Sequence, residues 1–273
     1  MNQLKKEDIK TLLKQREANS SKKDYGHALI VAGKKCSMGA AVIAARGAIR
    51  TGVGLLTVCV PEEEREILQI SVPEAMLLLR EDQQYDFDHF SAIGAGSGMG
   101  INKTTEELLI NLLAQFKKPI VLDADALTLV SNRKLHAYIP QETIITPHIL
   151  EFDRLFGAHQ NNDDRMNTAI TKAREYQIII VLKSHQTAII TPDEVFQNST
   201  GNAGLAKGGS GDALTGVITS FLAQGYTPLN AAKLAVYLHG LAADITLNEQ
   251  CMESMVITDV IENFGKAFES IRS

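Results

Sequence analysis

The 273-residue sequence has no tryptophan, and aromatic residues make up only 5% of it. Nowhere are aromatics set among basic residues, the pattern that marks a nucleic-acid binder. Positive charge is not in excess either. The 27 Lys and Arg against 32 Asp and Glu leave a net charge of −5, so no nucleic-acid partner is expected. An anionic ligand stays open where positive potential is local, as at a helix N-terminus. Cysteine is scarce: Cys36, Cys59 and Cys251 fit no metal-binding spacing, and an odd count closes no disulfide set. Free thiols in a reducing compartment are the expectation. No apolar run approaches the roughly 20 residues that span a bilayer. The opening stretch MNQLKKEDIKTLLKQREANSSKKDYG has no apolar core of the secretory kind. A cytoplasmic protein with no membrane association is expected.

The remaining composition, 45% hydrophobic and 22% charged, is that of an ordinary globular chain able to bury a core without metal or disulfide. Its length allows one large α/β domain or two small ones. An amphipathic helix is expected from Leu4 to about Ala18, and residues 1–24 form an N-terminal helix and lead-in. Short apolar runs then alternate with longer helical patterns. Strands are expected at His27–Ala32, Leu55–Val60, Ala75–Leu79, Ala92–Ile93, Pro119–Leu122, Thr143–Ile145 and Ile178–Leu182. A hairpin is expected around Pro192-Asp193, from Thr187–Thr191 and Val195–Gln197. Helices are expected at Met38–Thr51, Thr104–Phe116, Asp164–Gln177, Ser210–Ala223 and Leu229–Leu247. This alternation implies βαβ units and a mostly parallel sheet covered on both faces. No linker or repeat interrupts residues 25–270, so a single domain over 1–273 is the better reading. In such sheets ligands sit outside the carboxyl ends of the strands, which gives weight to motifs just after strands.

The densest of these is Asn202 to Leu214, containing Gly208-Gly209-Ser210-Gly211-Asp212 directly before a regular helix. Glycine lets the backbone approach a ligand, and the following helix presents unpaired amides with partial positive charge. Together these make an anion site, although no Gly-Lys-Ser/Thr follows as a P-loop requires. Asp212 can be a favourable first-turn residue, or a base set beside a transferring phosphoryl group. The glycine density favours the second reading. Asp123 and Asp125 close the strand before Ala126; paired carboxylates can bind Mg²⁺, act as acid and base, or cap the next helix. The strand-end position favours a site role for Asp123.

The run Gly208 to Asp212 resembles the Gly-x-Gly-Asp anion hole of ribokinase-like proteins. The longer AKGGSGDALTG resembles the ADP/ATP-dependent NAD(P)H-hydrate dehydratases, which repair hydrated NADH and NADPH. GHALIVAG followed by Gly39-Ala40-Ala41, then TGVGLLTV, IGAGSG, VLDADAL and TPHILE fit the same family, spread from about Gly26 to Asp244. The resemblance implies an α/β ribokinase-like three-layer sandwich, with helices on both faces of a mostly parallel central sheet. It makes Asp212 the catalytic residue and a substrate contact. Ala40, Gly96, Gly98 and His148 become contacts to the hydrated dinucleotide. Gly208, Gly209, Ser210 and Gly211 fall on the nucleotide phosphates. The segment Lys183, Ser184, His185, Gln186 and Thr187 falls on the nucleotide too. Three departures are visible. Ala95 and Ser97 stand in a loop the family writes Gly-Pro-Gly-Leu-Gly, Ser184 replaces a glycine after Lys183, and His148 takes the place of Asn in the Asn-x-x-Glu of many ribokinase-like kinases. Glu151 then keeps a metal-linked role through water, or is simply a first-turn Glu. Asp123 is the other metal-linked residue, and no direct protein ligand to the metal is assigned.

The expected reaction is nucleotide-dependent dehydration of the S form of NADH or NADPH hydrate, a lyase reaction of metabolite repair. ADP, or ATP in its place, is the co-substrate, with Mg²⁺ on its phosphates and AMP plus phosphate as products from ADP. The resemblance implies a homo-oligomer, a tetramer. It also implies a separate NAD(P)H-hydrate epimerase in the same pathway, since the chain is short for a fused one. A ribokinase-like kinase acting on a vitamin-precursor alcohol is the alternative; it shares the anion hole but keeps a phosphorylated product. A nucleotide-binding protein without catalysis ranks below both, because Asp212 is present.

Overall fold

Short β-branched runs that stop at glycine, proline or a polar turn become strands here, and the amphipathic stretches between them become the covering helices. The computed structural model describes residues 1–81 and 85–273. In chain order it contains β1 (Asn2–Gln3), α1 (Lys6–Leu12), β2 (His27–Val31), α2 (Met38–Arg50), β3 (Leu55–Val60), α3 (Arg65–Ser71) and β4 (Met76–Leu79). Then follow β5 (Ala92–Ala95), α4 (Lys103–Gln115), β6 (Ile120–Leu122), α5 (Ala124–Arg133), β7 (Ile144–Ile145), α6 (Ile149–Phe156), α7 (Asn162–Tyr176) and β8 (Ile179–Leu182). The hairpin β9 (Ala188–Ile190) and β10 (Val195–Gln197) leads to α8 (Ser210–Ala223), α9 (Pro228–Thr246), α10 (Ile257–Glu262) and α11 (Phe264–Arg272).

The ten strands form one sheet in the order β1-β10-β9-β8-β7-β6-β5-β2-β3-β4. Among the described residues only β9 runs against the others. Strands β2, β3 and β4 step outward one way, and β5 returns beside β2 to start the march through β6, β7 and β8 the other way. That reversal is the topological switch point at which open α/β sheets place ligands. Alternate side chains feed two cores. Ala28, Ile30 and Val121 face a layer built from α1, α2, α3 and α8 to α11, whereas Leu29, Val31, Ile120 and Leu122 face α4 to α7. The three layers agree with the architecture the resemblance implies.

The N-terminal helix is shorter than its apolar pattern suggests. Leu4 is not in it: its amide donates to the Gln197 carbonyl at 2.9 Å, and Asn2–Gln3 pair with β10. Register with the sheet edge outweighs local helix propensity there. Four short helices, α3, α5, α6 and α10, and the C-terminal α11, carry too few turns for a periodic signal and were not expected. Two of them, α5 and α6, start at motif residues, immediately after Asp123 and at the residue following His148.

A close contact between α2 and α8, within one helical layer, sets the position of α8. Ala41, Ala44, Ala45 and Ala48 of α2 are fully buried, and a Cβ on Gly216 of α8 would sit 1.9 Å from the Ala44 carbonyl oxygen. Overpacking of a tight core costs about 1–3 kcal/mol, and each kcal/mol moves the melting midpoint of a domain this size by about 2–4 °C. Gly216→Ala is therefore expected to melt several degrees below wild type in calorimetry. An unchanged midpoint would show that the two helices separate freely.

Candidate active site

The sheet ladder itself assembles the site. The Asp123 amide donates to the Ala95 carbonyl at 3.0 Å, and the Thr146 amide to that of Leu122, also at 3.0 Å. A bridge beyond the named strands pairs His148 with Lys183, and the Lys183 amide donates to the Pro147 carbonyl at 3.0 Å. The carboxyl ends of β5, β6, β7 and β8 thus bring Gly96, Asp123, His148 and Lys183 side by side.

The N-terminus of α8 comes down onto this row. Gly209 is its N-cap at φ +93°, and a Cβ there would strike Ile43 and Ile257 at 2.7 and 2.8 Å, so only glycine fits. The first amide with an intrahelical acceptor is that of Ala213, which donates to the Gly209 carbonyl at 2.9 Å. The amides of Gly211 and Asp212 precede it, the position from which helices bind anions. A Cβ on Gly211 would lie 3.1 Å from Lys183 Nζ and 3.6 Å from Asp123 Oδ2, so the ammonium and the helix start share one small space.

Asp123 occupies the N-cap position of α5 without capping it. Its Oδ1 accepts from Lys183 Nζ at 2.8 Å and its Oδ2 from Thr215 Oγ1 at 3.0 Å. The side chain is 1% exposed as a residue, which decides against a solvated surface carboxylate. Asp125 does not cap either; it accepts from the Gly100 amide at 2.8 Å and so fastens the glycine loop. Burial on its own would lower the Lys183 ammonium, but Asp123, Glu151 and Asp212 outweigh it and hold it above the usual lysine range. Glu151 Oε2 is 3.9 Å from that ammonium.

Asp212 is half-buried on the first turn of α8. Burial raises its carboxyl above the ordinary aspartate range, and the nearby Asp123 and Asp125 carboxylates raise it further. Ser97 and Lys183 oppose the rise, although the buried Ser97 Oγ makes no close hydrogen bond among the described residues. The result is a carboxylate whose affinity for a proton is increased by its surroundings, next to helix amides and an ammonium.

The substrate-side candidates surround this centre. Gly96, at φ +134°, has no room for a side chain, since a Cβ would meet the Asp123 carbonyl oxygen at 1.8 Å. A Cβ on Gly98 would meet the Ala40 Cβ at 2.9 Å, so those two candidates touch. His148 caps α6: its Nδ1 accepts from the Leu150 and Glu151 amides at 3.1 and 3.2 Å, while its own amide donates to Glu151 Oε2 at 2.8 Å. The helix-capping alternative thus holds for His148, and the capping box for Glu151. The capping bonds place the proton of a neutral ring on Nε2, which lies 3.3 Å from Glu151 Oε1 on a side chain 49% exposed. Ser184 adopts no left-handed conformation; its Oγ donates to the Gln186 carbonyl and accepts from the Gln186 amide, which builds the turn without the family's glycine. Ser184, His185 and Gln186 are exposed and Thr187 is half-buried at the start of the hairpin.

Sequence reasoning missed two residues here. Thr215 carries no signal, being one polar residue inside an apolar helix. Arg80, 4% exposed, donates to the carbonyls of Ala32, Met99 and Cys59 at 2.8, 2.9 and 3.2 Å and forms no ion pair among the described residues. It ties the loops after β2 and β5 together; an arginine closing the apolar run Met76–Leu79 was the available clue. His239 is buried on α9, and burial pushes it down to about 4, so it is neutral. A cavity of about 820 Å³ lies elsewhere, at the C-terminal ends of α2 and α8 beneath the N-terminal lead-in. It holds none of the motif residues, and the convergence of chemistry at the strand ends outweighs its size.

With this geometry in place, comparison with known proteins is informative. The NAD(P)H-hydrate dehydratase family model matches residues 28–265. The chain is 35% identical over 267 residues to the bifunctional NAD(P)H-hydrate repair enzyme of Moorella thermoacetica, covering 92% of this chain and 50% of that one. It thus spans half the length of that relative. It is 33% identical over 274 residues to the ADP-dependent (S)-NAD(P)H-hydrate dehydratase of Bacillus subtilis, covering 96% and 97%. The crystal structure of the Bacillus subtilis ADP/ATP-dependent NAD(P)H-hydrate dehydratase with ATP/Mg²⁺ superimposes with a TM-score of 0.87 at 31% identity, covering 98% and 97%.

The raised Asp212 carboxyl has a consequence for stability. Its folded-state pKa lies above the unfolded value of about 3.9, so the ionised form is disfavoured by folding. The resulting loss of stability is absent below the unfolded pKa, grows as pH rises through the folded one and is constant above it. Asp212→Asn removes that charge. It is expected to melt at or above the wild-type temperature at pH 7, with the difference shrinking as pH falls towards 4. A variant markedly less stable at pH 7 would show that the carboxylate holds the fold together.

Proposed function

The chain belongs to the NAD(P)H-hydrate dehydratase family, and from that premise we propose that it uses ADP, or ATP in its place, to dehydrate the S form of hydrated NADH and NADPH. The observation that carries this is the raised, half-buried Asp212 carboxylate beside the α8 amides and Lys183. In the proposed reaction Asp212 takes the proton of the ring hydroxyl as that oxygen attacks the terminal phosphorus of the nucleotide. The bond from phosphorus to the bridging oxygen breaks, and AMP leaves when ADP is used. The amides of Gly211 and Asp212 stabilise the charge on the phosphoryl oxygens. The carbon–oxygen bond of the phosphorylated ring then breaks, phosphate departs with the electron pair, and loss of a proton from the neighbouring carbon restores the double bond.

Residues 1–273 act as one unit in this reading. Ala40, Gly96, Gly98 and His148 contact the dinucleotide, His148 through the half-exposed edge of a ring whose Nε2 faces Glu151. The Lys183–Thr187 segment and the Gly208–Gly211 turn contact the nucleotide. Mg²⁺, when bound, neutralises nucleotide phosphate charge. Among the described residues no group of three or more His, Cys, Asp or Glu could hold a metal. The residues present fit an ion carried by phosphate oxygens and water, as Mg²⁺ commonly is, with Glu151 reaching it through water. The resemblance supports a tetramer and an NAD(P)H-hydrate epimerase acting in the same pathway.

Three measurements test the reading. Incubating the protein with Mg²⁺, hydrated NADH and either ADP or ATP is expected to restore nicotinamide absorbance, with one AMP and one phosphate formed per ring when ADP is used. Phosphorylation of an alcohol without absorbance recovery would support the kinase alternative instead. Asp212→Asn is expected to lower turnover by about 10²–10⁴-fold, the usual contribution of a positioned general base, while hydrate binding survives. The acid limb of kcat/KM is expected above the ordinary aspartate value of about 3.9, because Asp212 must be ionised to accept the proton and its surroundings raise it. A limb at or below that value would remove Asp212 from the role of base.

A further inference from the structure

Asp123 has the position of a helix cap and does not cap. Ala124, directly after it, sits at φ +44°, in the left-handed region that β-carbon-bearing residues avoid. That conformation accompanies the divergence of its two acidic neighbours: Asp125 goes to the Gly100 amide, and Asp123 goes to Lys183 and Thr215. Both Asp123 oxygens are thereby occupied by protein donors, on two different elements. Thr215 lies one turn along α8 from Gly211, on the helix whose N-terminus forms the anion turn. Lys183 follows β8 and has three ammonium protons. One is held by Asp123, and Nζ lies 3.1 Å from the space above Gly211. A remaining proton is therefore free to point at whatever the Gly211 and Asp212 amides bind.

A buried carboxylate costs several kcal/mol unless it is paired, and a purely structural pair could sit anywhere in the core. This one sits under the first turn of an anion-binding helix and joins three elements whose ends define the site. A direct metal ligand role for Asp123 would set the ion beside the ammonium, two positive charges on one carboxylate. We propose that Asp123 and Thr215 are positioning residues that hold the Lys183 ammonium as a fixed cation on the floor of the anion turn, against the phosphoryl group in transfer. The inference rests on the phosphoryl-transfer reading above. It adds that the reaction uses a protein-borne positive charge set by Asp123 as well as the metal ion.

The test is a double-mutant cycle with Mg²⁺ titration. Lys183→Met and Asp123→Asn are each expected to lower kcat by about 10²-fold or more, the loss typical of removing one charge-stabilising donor. Because both act through the same ammonium, the double variant is expected to be no slower than the slower single one, and the Mg²⁺ concentration for half-activity should not change. Thr215→Val should show a smaller loss in kcat with KM for the hydrate preserved. Losses that multiply, an increased Mg²⁺ requirement in Asp123→Asn, or an unaltered kcat in Lys183→Met would each overturn the proposal. Should Asp123→Asn alone not fold, Lys183→Ala with added ethylammonium carries the test. Rescue of kcat is expected there and not in the double Lys183→Ala, Asp123→Asn variant, which buries neither charge; equal rescue in both would refute positioning. Binding of ADP measured calorimetrically separates the two levels of argument. If wild type binds ADP but repairs no hydrate, the dehydratase reading fails, while weaker ADP binding in Lys183→Met and Asp123→Asn still reports the positioned cation.

Discussion

Where Gly216 of α8 passes Ala44 of α2 there is no room for a side chain, and the two helices meet backbone to backbone. That contact fixes both the depth of α8 over the sheet and the direction of its N-terminus. A Cβ on Gly47 of α2 would likewise approach the Ala213 carbonyl oxygen at 2.8 Å, so the seam is continuous up to the first turn of α8. The Gly94 position adds a third restraint, since a Cβ there would meet Thr219 Oγ1 at 2.2 Å, pressing α8 on β5. Small residues on three elements therefore place the anion turn over the switch point between β2 and β5. A helix N-terminus a few ångströms higher would present the same amides to solvent, where their partial charge is largely screened.

Charge in this space is balanced locally. Asp123, Glu151 and Asp212 surround one ammonium and hold Lys183 positive against the effect of burial, and Asp125 acts on Asp212 beside them. The four carboxylates are not equivalent. Asp123 is occupied by Lys183 and Thr215, Asp125 by the Gly100 amide, and Glu151 by the His148 amide. Asp212 keeps accepting capacity and has its proton affinity raised. Differences in environment between neighbouring carboxylates are the usual way one site separates its acid–base group from its electrostatic scaffold.

Much of this was legible in the sequence, for identifiable reasons. Ser210–Ala223 and Leu55–Val60 were bounded correctly because glycine, glutamine or proline punctuates an uninterrupted apolar pattern. The anion turn was legible because glycines before a helix have a specific conformational use, seen at Gly209. The shorter helices α5 and α6 were not legible, since seven to ten residues give too few repeats of a 3.6-residue period. Lead-in residues 1–3 joined a sheet edge through a contact nearly two hundred residues away in sequence, which no local pattern encodes. At the site, residue types could name Asp123 and His148 but not choose between capping and ligand roles. Asp123 proved to cap nothing, whereas His148 caps α6 with one nitrogen and leaves the other half exposed. Arg80 and Thr215 were invisible because their importance lies in which carbonyl or carboxylate they reach.

Within the proposed reaction, the groups that would move a phosphoryl group and the groups that would hold the dinucleotide meet along one row of strand ends. The turn before α8, Lys183 and Asp212 suffice for moving a phosphoryl group onto a hydroxyl. A kinase must then protect the ester it has made. A dehydratase needs the ester to fall apart, and a carbon bonded to the ring nitrogen releases phosphate without further help, because the nitrogen lone pair stabilises the cation that forms. The protein's task on that side is to bind and orient the ring's dinucleotide, not to supply stronger chemistry. The glycine-lined approach at Gly96, Gly98 and Ala40, pinned from beneath by Arg80 and Asp125, is suited to that task. It offers backbone at close range, rigidly held.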